Sequence, residues 1–180
     1  MTGLIIALTT TGVIVFLIYN KLVTLRNMVE EAFSTMDVYL KKRWDLIPNL
    51  VAIVKNYANF EQEALERVVR ARALTYSSMS MNDKLEADKN MADGVLKLVA
   101  LGESYPNLTA NENFIELAKE LVKVEDEIAK SRKYYNGCVR VYNTKLQQFP
   151  NTLFAEAMGF KTWDMFAAEQ NERKSIKVEI

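Results

Sequence analysis

Between Gly3 and Tyr19 the chain reads GLIIALTTTGVIVFLIY, seventeen residues without a charge. A segment of this kind can be buried in a core, cross a bilayer, or serve as a removable leader. As a helix it measures about 25 Å, at the short end for a hydrocarbon core of about 30 Å. Leu4, Ile5, Ile6, Leu8, Val13, Ile14, Val15, Phe16, Leu17 and Ile18 supply its apolar surface. Tyr19, Asn20 and Lys21 close it with an interfacial aromatic and a cation able to snorkel. Thr9, Thr10 and Thr11 do not veto a span, because a Thr hydroxyl can bond the carbonyl one turn back.

A cleaved leader needs a basic start and a small-x-small cleavage site, and neither stands here. A core helix at a domain surface is apolar on one face, whereas this segment is apolar all round. It reads as a signal anchor over residues 1–20. Lys21 and Arg26 follow it, with Lys41, Lys42 and Arg43 farther on, while only the terminal amine precedes it. The positive-inside rule therefore places the N-terminus outside and the body in the cytoplasm. Gly3, Ala7 and Thr11 lie four apart on one face, a small-residue spacing that lets membrane helices pair, although small residues are common in spans that do not.

After the anchor, Leu22, Leu25, Val29, Ala32, Met36 and Tyr39 recur at helical spacing, so anchor and amphipathic helix can form one rod. Pro48 is expected to end or kink it. Helices are then predicted over about 49–77, 83–101 and 109–148. The last is striped by Phe114, Leu117, Leu121, Val124, Ile128, Tyr135, Tyr142, Leu146 and Phe149, and stopped by Pro150. One or two short helices broken at Gly159 follow. The expected fold is all-α: a transmembrane helix continuing into an elongated antiparallel four-helix-type bundle over 21–168, with a polar tail at 169–180. No alternating strand pattern competes.

Lys and Arg number 23 against 23 Asp and Glu, so no basic footprint invites nucleic acid. Absent His removes the Glu-x-x-His ligands of a di-iron bundle and any His-activated nucleophile. One cysteine, Cys138, forms no internal disulfide and offers no zinc cluster. No cofactor is expected.

Charged residues nevertheless fall on or beside the apolar stripes: Arg26 and Arg43, Glu61 and Arg72, Glu125 and Arg132; Asp37, Asp45 and Asn49 cluster near the first corner, at Pro48. They suit either a ligand or acid–base pocket, centred on Arg43, Asp45 and Asn49, or a structural network of interhelix ion pairs. Tyr135-Asn136 and Tyr142-Asn143 repeat one heptad apart, where Tyr fits a seam and a buried Asn fixes register.

The run YNKLVTLRNMVEEAFSTMDVYLKKRWDLIPNLV, together with YPNLTANENF and RKYYNGCVRVYNTKLQQFP, resembles the LemA family over nearly the whole chain. The resemblance implies a bacterial inner-membrane protein with one N-terminal span and a cytoplasmic helical bundle, and it supplies no reaction. Where relatives often carry His before Glu61, this chain has Phe60. The expectation is a non-enzymatic scaffold that contacts the lipid bilayer and assembles with copies of itself or with another membrane protein. The alternative is a ligand-binding sensor or enzyme at the Arg43 cluster.

Overall fold

The computed structural model describes residues 1–57, 76–84, 86–88, 91, 100 and 105–166. Helix α1 spans Thr2–Tyr57, α2 Pro106–Thr109, α3 Glu112–Gln147 and α4 Asn151–Phe154, with a 3₁₀ turn at Tyr76–Ser78. Residues 81–84 and 86–88 are also helical. The protein is a helical bundle with a long apolar N-terminal helix, and no strand occurs among the described residues. Two compact units divide it: Met1–Phe33 with Arg132–Ile180, and Ser34–Ser131. Residues 58–75 of the second expected helix, most of the third, the polar tail, Glu61 and Arg72 lie outside the described residues.

In the first unit, residues 1–14 are all exposed, and α1 is long and apolar enough to cross a membrane. Its threonines are satisfied internally: Thr9 Oγ1 donates to Ile5 O at 3.0 Å, Thr10 Oγ1 to Ile6 O at 2.8 Å and Thr11 Oγ1 to Ala7 O at 2.9 Å. Each hydroxyl therefore adds no unpaired donor to the surface of the helix. Leu22, Leu25, Val29 and Ala32 are buried, as are Tyr135, Val139, Tyr142 and Leu146 of α3. Phe33 and Tyr135 meet edge to face with ring centroids 6.0 Å apart. Phe149 departs from the stripe that the sequence assigns it: it lies beyond the end of α3 and is 80% exposed. Among the described residues only α4 is helical after Pro150. At Gly159 the backbone takes φ 78°, a left-handed turn that glycine enters without a Cβ penalty, and residues 160–166 continue without helix.

In the second unit α1 runs through Pro48 rather than ending there. Proline has no N–H for the Trp44 carbonyl and costs about 3 kcal/mol against alanine in a helix interior. Burial offsets this. Trp44, Ile47, Leu50, Val51 and Val54 are all core residues, and burying one Val, Leu or Ile contributes about 1.5–3 kcal/mol. The buried stripe continues through Met36 to Leu40, with Tyr39 only half-buried beside it. Two helix starts are capped by side chains. Asn111 Oδ1 accepts the Phe114 N–H at 3.1 Å, opening α3. Ser80 and Asp83 bond reciprocally, Asp83 N to Ser80 Oγ at 3.2 Å and Ser80 N to Asp83 Oδ2 at 3.1 Å, which opens the helix at residue 81. The Ser80 hydroxyl, which donates to Asp83 Oδ2 at 2.7 Å, and then the Ser80 N–H hold the Asp83 carboxyl below its usual range.

Candidate functional site

The sequence flags charged residues on apolar stripes, and one of them organises the core of the second unit. Arg43 occupies a buried position of the α1 stripe, between Leu40 and Ile47, and is 2% exposed. Its Nη2 donates to Asp88, itself 3% exposed, and its Nη1 donates to both carboxylate oxygens of Glu125 at 3.1 and 3.2 Å. A guanidinium this deep is tolerable only when its charge is matched and its donors are used, because desolvating an ion costs several kcal/mol. Two carboxylates from different segments match the charge and take both Nη nitrogens, while the buried Nε makes no hydrogen bond among the described residues.

A second cluster adjoins on the same unit. Tyr76 Oη donates to Asp37 Oδ1 at 2.5 Å, and Lys84 Nζ reaches Asp37 Oδ2 at 2.9 Å while standing 4.5 Å from the Tyr76 ring centroid. Trp44 packs against the same ring at 5.4 Å. Burial, reinforced by the hydrogen bond to Asp37, drives the Tyr76 phenol well above its usual range, so it remains a proton donor at neutral pH. Asp45 and Asn49, grouped with Arg43 on the sequence, are exposed, and Asp45 pairs with Lys41 one turn away at 2.6 Å. Arg43 is thus buried while the other two face solvent. Among the described residues no group of three His, Cys, Asp or Glu side chains converges as a metal ion would require. The arrangement can hold helices in register; it presents no aligned base, nucleophile and oxyanion donor.

In the first unit the flagged arginines pack on aromatic rings. Arg26 lies 5.8 Å from the Phe160 ring centroid and 3.6 Å from Glu30, and Arg132 lies 5.4 Å from the Phe166 centroid. Both rings belong to the non-helical segment that follows Gly159.

That segment is held by the Tyr-Asn heptad. Asn143 Nδ2 donates to the Trp163 carbonyl at 2.8 Å while its Oδ1 accepts the Trp163 N–H at 3.0 Å. Asn136 does the same to Phe166, at 3.2 and 2.8 Å. Tyr135 Oη donates to the Asp164 carbonyl at 2.9 Å. Seven helical residues rise about 10.5 Å, and three residues of fully extended chain also reach about 10 Å. The heptad therefore matches two amide side chains to backbone groups three residues apart, a strand-like pairing supplied by a helix. Burial, and then the Asp164 charge, push the Tyr135 phenol up to about 12. The sequence reading expects Asn136 and Asn143 to set helix register. Their observed partner is backbone, a type of contact that leaves no side-chain signature in the partner segment.

The small-residue face of the apolar segment is bare in the single chain. Gly3, Ala7 and Thr11 are exposed, and a Cβ at Gly3 would meet nothing within 4 Å.

Comparison with known proteins accords with this architecture. Magnetosome protein MamQ 2 of Paramagnetospirillum magneticum is 24% identical over 174 residues, covering 82% of this chain and 64% of the relative. Magnetosome protein MamQ of Magnetospirillum gryphiswaldense matches with the same identity and coverage. Protein LemA of Metamycoplasma hominis is 24% identical over 159 residues, 87% of this chain and 72% of the relative. The chain thus spans about 64% of the length of the magnetosome relatives. The LemA family model matches residues 32–180, most of the chain and nearly all of it beyond the apolar segment, so the protein belongs to the LemA family.

Proposed function

We propose that this chain is a single-pass protein of the bacterial cytoplasmic membrane, its N-terminus outside and its bundle in the cytoplasm, acting without catalysis as an oligomerising scaffold. The observation that carries the reading is how the buried charges are used. Arg43 directs both terminal nitrogens to Asp88 and Glu125, so the most conspicuous polar cluster of the core is a tie between segments. A competing ligand pocket around Arg43, Asp45 and Asn49 draws no support from their placement, one buried and two exposed. Orientation is supported by Lys21 and Arg26, which follow the apolar segment at once. Pairing is supported by the small-residue face of Gly3, Ala7 and Thr11, open to a second helix.

The test is the mass of the detergent-solubilised chain and crosslinking in native membranes. The scaffold reading expects elution well above the 20.6 kDa of one chain and crosslinked dimers or larger species that Ala7→Leu depletes. A monomer at every concentration, with no crosslinks in the membrane, overturns it.

A further inference from the structure

The turn that follows α3 is apolar on its outside. Phe149 is 80% exposed and Leu153 63% exposed, and both stand clear of the core that buries Ala155 and Phe160. Water is a poor environment for two neighbouring large apolar side chains on a turn, so their height along the molecule matters.

Contacts within the first unit set that height. Phe33 meets Tyr135; Tyr19 stands two heptads before Phe33 on α1, and Phe149 two heptads after Tyr135, just past the end of α3. A direct contact agrees: Tyr19 and Phe160 meet edge to face at 5.6 Å, and Phe160 is tied to the turn through its N–H to Ala155 O at 2.9 Å. Tyr19 ends the apolar segment and Lys21 and Lys161, both exposed, flank it, which is the aromatic-plus-cation pattern of a membrane–water interface.

We infer that the turn over residues 149–154 is a second, interfacial membrane contact, which inserts Phe149 and Leu153 among the lipid headgroups and upper acyl chains beside the transmembrane helix. The inference rests on the span proposed above. A bilayer is the occupant favoured over a second copy because the exposed pair sits at the level where the apolar segment leaves the hydrocarbon, with cations placed to meet anionic headgroups. The apolar turn and the span then contact the same leaflet, so the first unit touches the membrane at two points and its tilt is restricted.

The experiment uses the full chain with Cys138→Ser and a single cysteine carrying an environment-sensitive NBD label at position 149, 153, 134 or 14. Each is reconstituted into vesicles of phosphatidylcholine and phosphatidylglycerol containing shallow doxyl-labelled lipid. Tyr134 is also exposed but lies about 20 Å back along α3, so it serves as the water-side control. Labels at 149 and 153 are expected to be quenched several-fold more strongly than the label at 134, and equally so at low and high protein-to-lipid ratio. Quenching at 149 and 153 no greater than at 134, in protein that resists carbonate extraction and is quenched at 14 by deep doxyl lipid, overturns the inference and leaves the span standing. Shielding that appears only at high protein density, without lipid quenching, assigns the turn to a second copy and also overturns it. Protein released by carbonate and unquenched at 14 overturns both.

Discussion

Replacing Asp88 by alanine removes one of the two carboxylates that neutralise Arg43. With Arg43 2% exposed and Asp88 3% exposed, the guanidinium cannot regain water without opening the core. Removing one partner from a buried ion pair typically costs about 3–5 kcal/mol. Glu125 remains bonded to Nη1 at 3.1 and 3.2 Å, so the lower end of that range, about 3 kcal/mol, applies. At roughly 2–4 °C per kcal/mol for a chain of this size, the melting midpoint falls by about 10 °C. Glu125→Gln is milder, about 1 kcal/mol, because the Glu125 side chain is 23% exposed and water takes over part of its role.

The decisive comparison is the double replacement Arg43→Met with Asp88→Val. If the cluster is structural, removing the buried charges together restores most of the stability, since apolar isosteres in place of a buried ion pair are often neutral or stabilising by about 1–4 kcal/mol. The assay is thermal unfolding of the detergent-solubilised chain followed by circular dichroism, with the wild type, both single variants and the double variant forming a cycle. A shift under about 2 °C for Asp88→Ala, or a double variant no more stable than the single, refutes the structural account of the tie.

Asn143→Ala leaves the N–H and carbonyl of Trp163 without their amide partner and is expected to cost about 1–3 kcal/mol, seen as faster proteolytic trimming after residue 159 and a red shift in tryptophan emission. Pro48→Ala restores the missing donor to the Trp44 carbonyl and is expected to raise stability by up to about 3 kcal/mol, measured by denaturant unfolding. Tyr135 has a folded-state pKa of about 12 against an ordinary value of 10.0, so it holds its proton more tightly when folded. Its contribution is complete below pH 10 and is lost as pH rises from there towards 12; Tyr135→Phe is expected to flatten that alkaline loss in unfolding measured across the window.

The residues that bury the α1 and α3 stripes are legible because helical periodicity is written locally: Leu22, Leu25, Val29, Ala32 and Met36, then Leu121, Val124 and Ile128, follow three- and four-residue steps, Tyr135 stands one heptad beyond Ile128, and all are buried. Pro48 misled for a physical reason. A local rule prices the lost hydrogen bond but not the apolar burial on either side of it, and burial won. Arg43 was visible as a charge on an apolar stripe, yet its partner Asp88 was not. Asp88 sits in a segment whose pattern gives no cue that it turns a carboxylate inward, so the sequence grouped Arg43 with its chain neighbours Asp45 and Asn49 instead. Exposure of the latter two follows from helix geometry, since two and six residues on from Arg43 are not the steps that return to the same face.

Phe149 shows a different kind of error, and it concerns solvent. On a heptad-spaced list of apolar residues it continues Tyr135 and Tyr142 without a break, and the natural inference is that all three face the core. The helix ends at Gln147, so the geometry that would carry position 149 inward stops two residues too early. What the periodicity encoded was apolar surface, and a core is only one place to put it. For a chain whose first helix is long and apolar enough to cross a membrane, a residue that continues the apolar stripe but lies outside the core is better matched to a bilayer than to water, and on the interfacial contact inferred above the level of Tyr19 beside Phe160 sets the depth of that match.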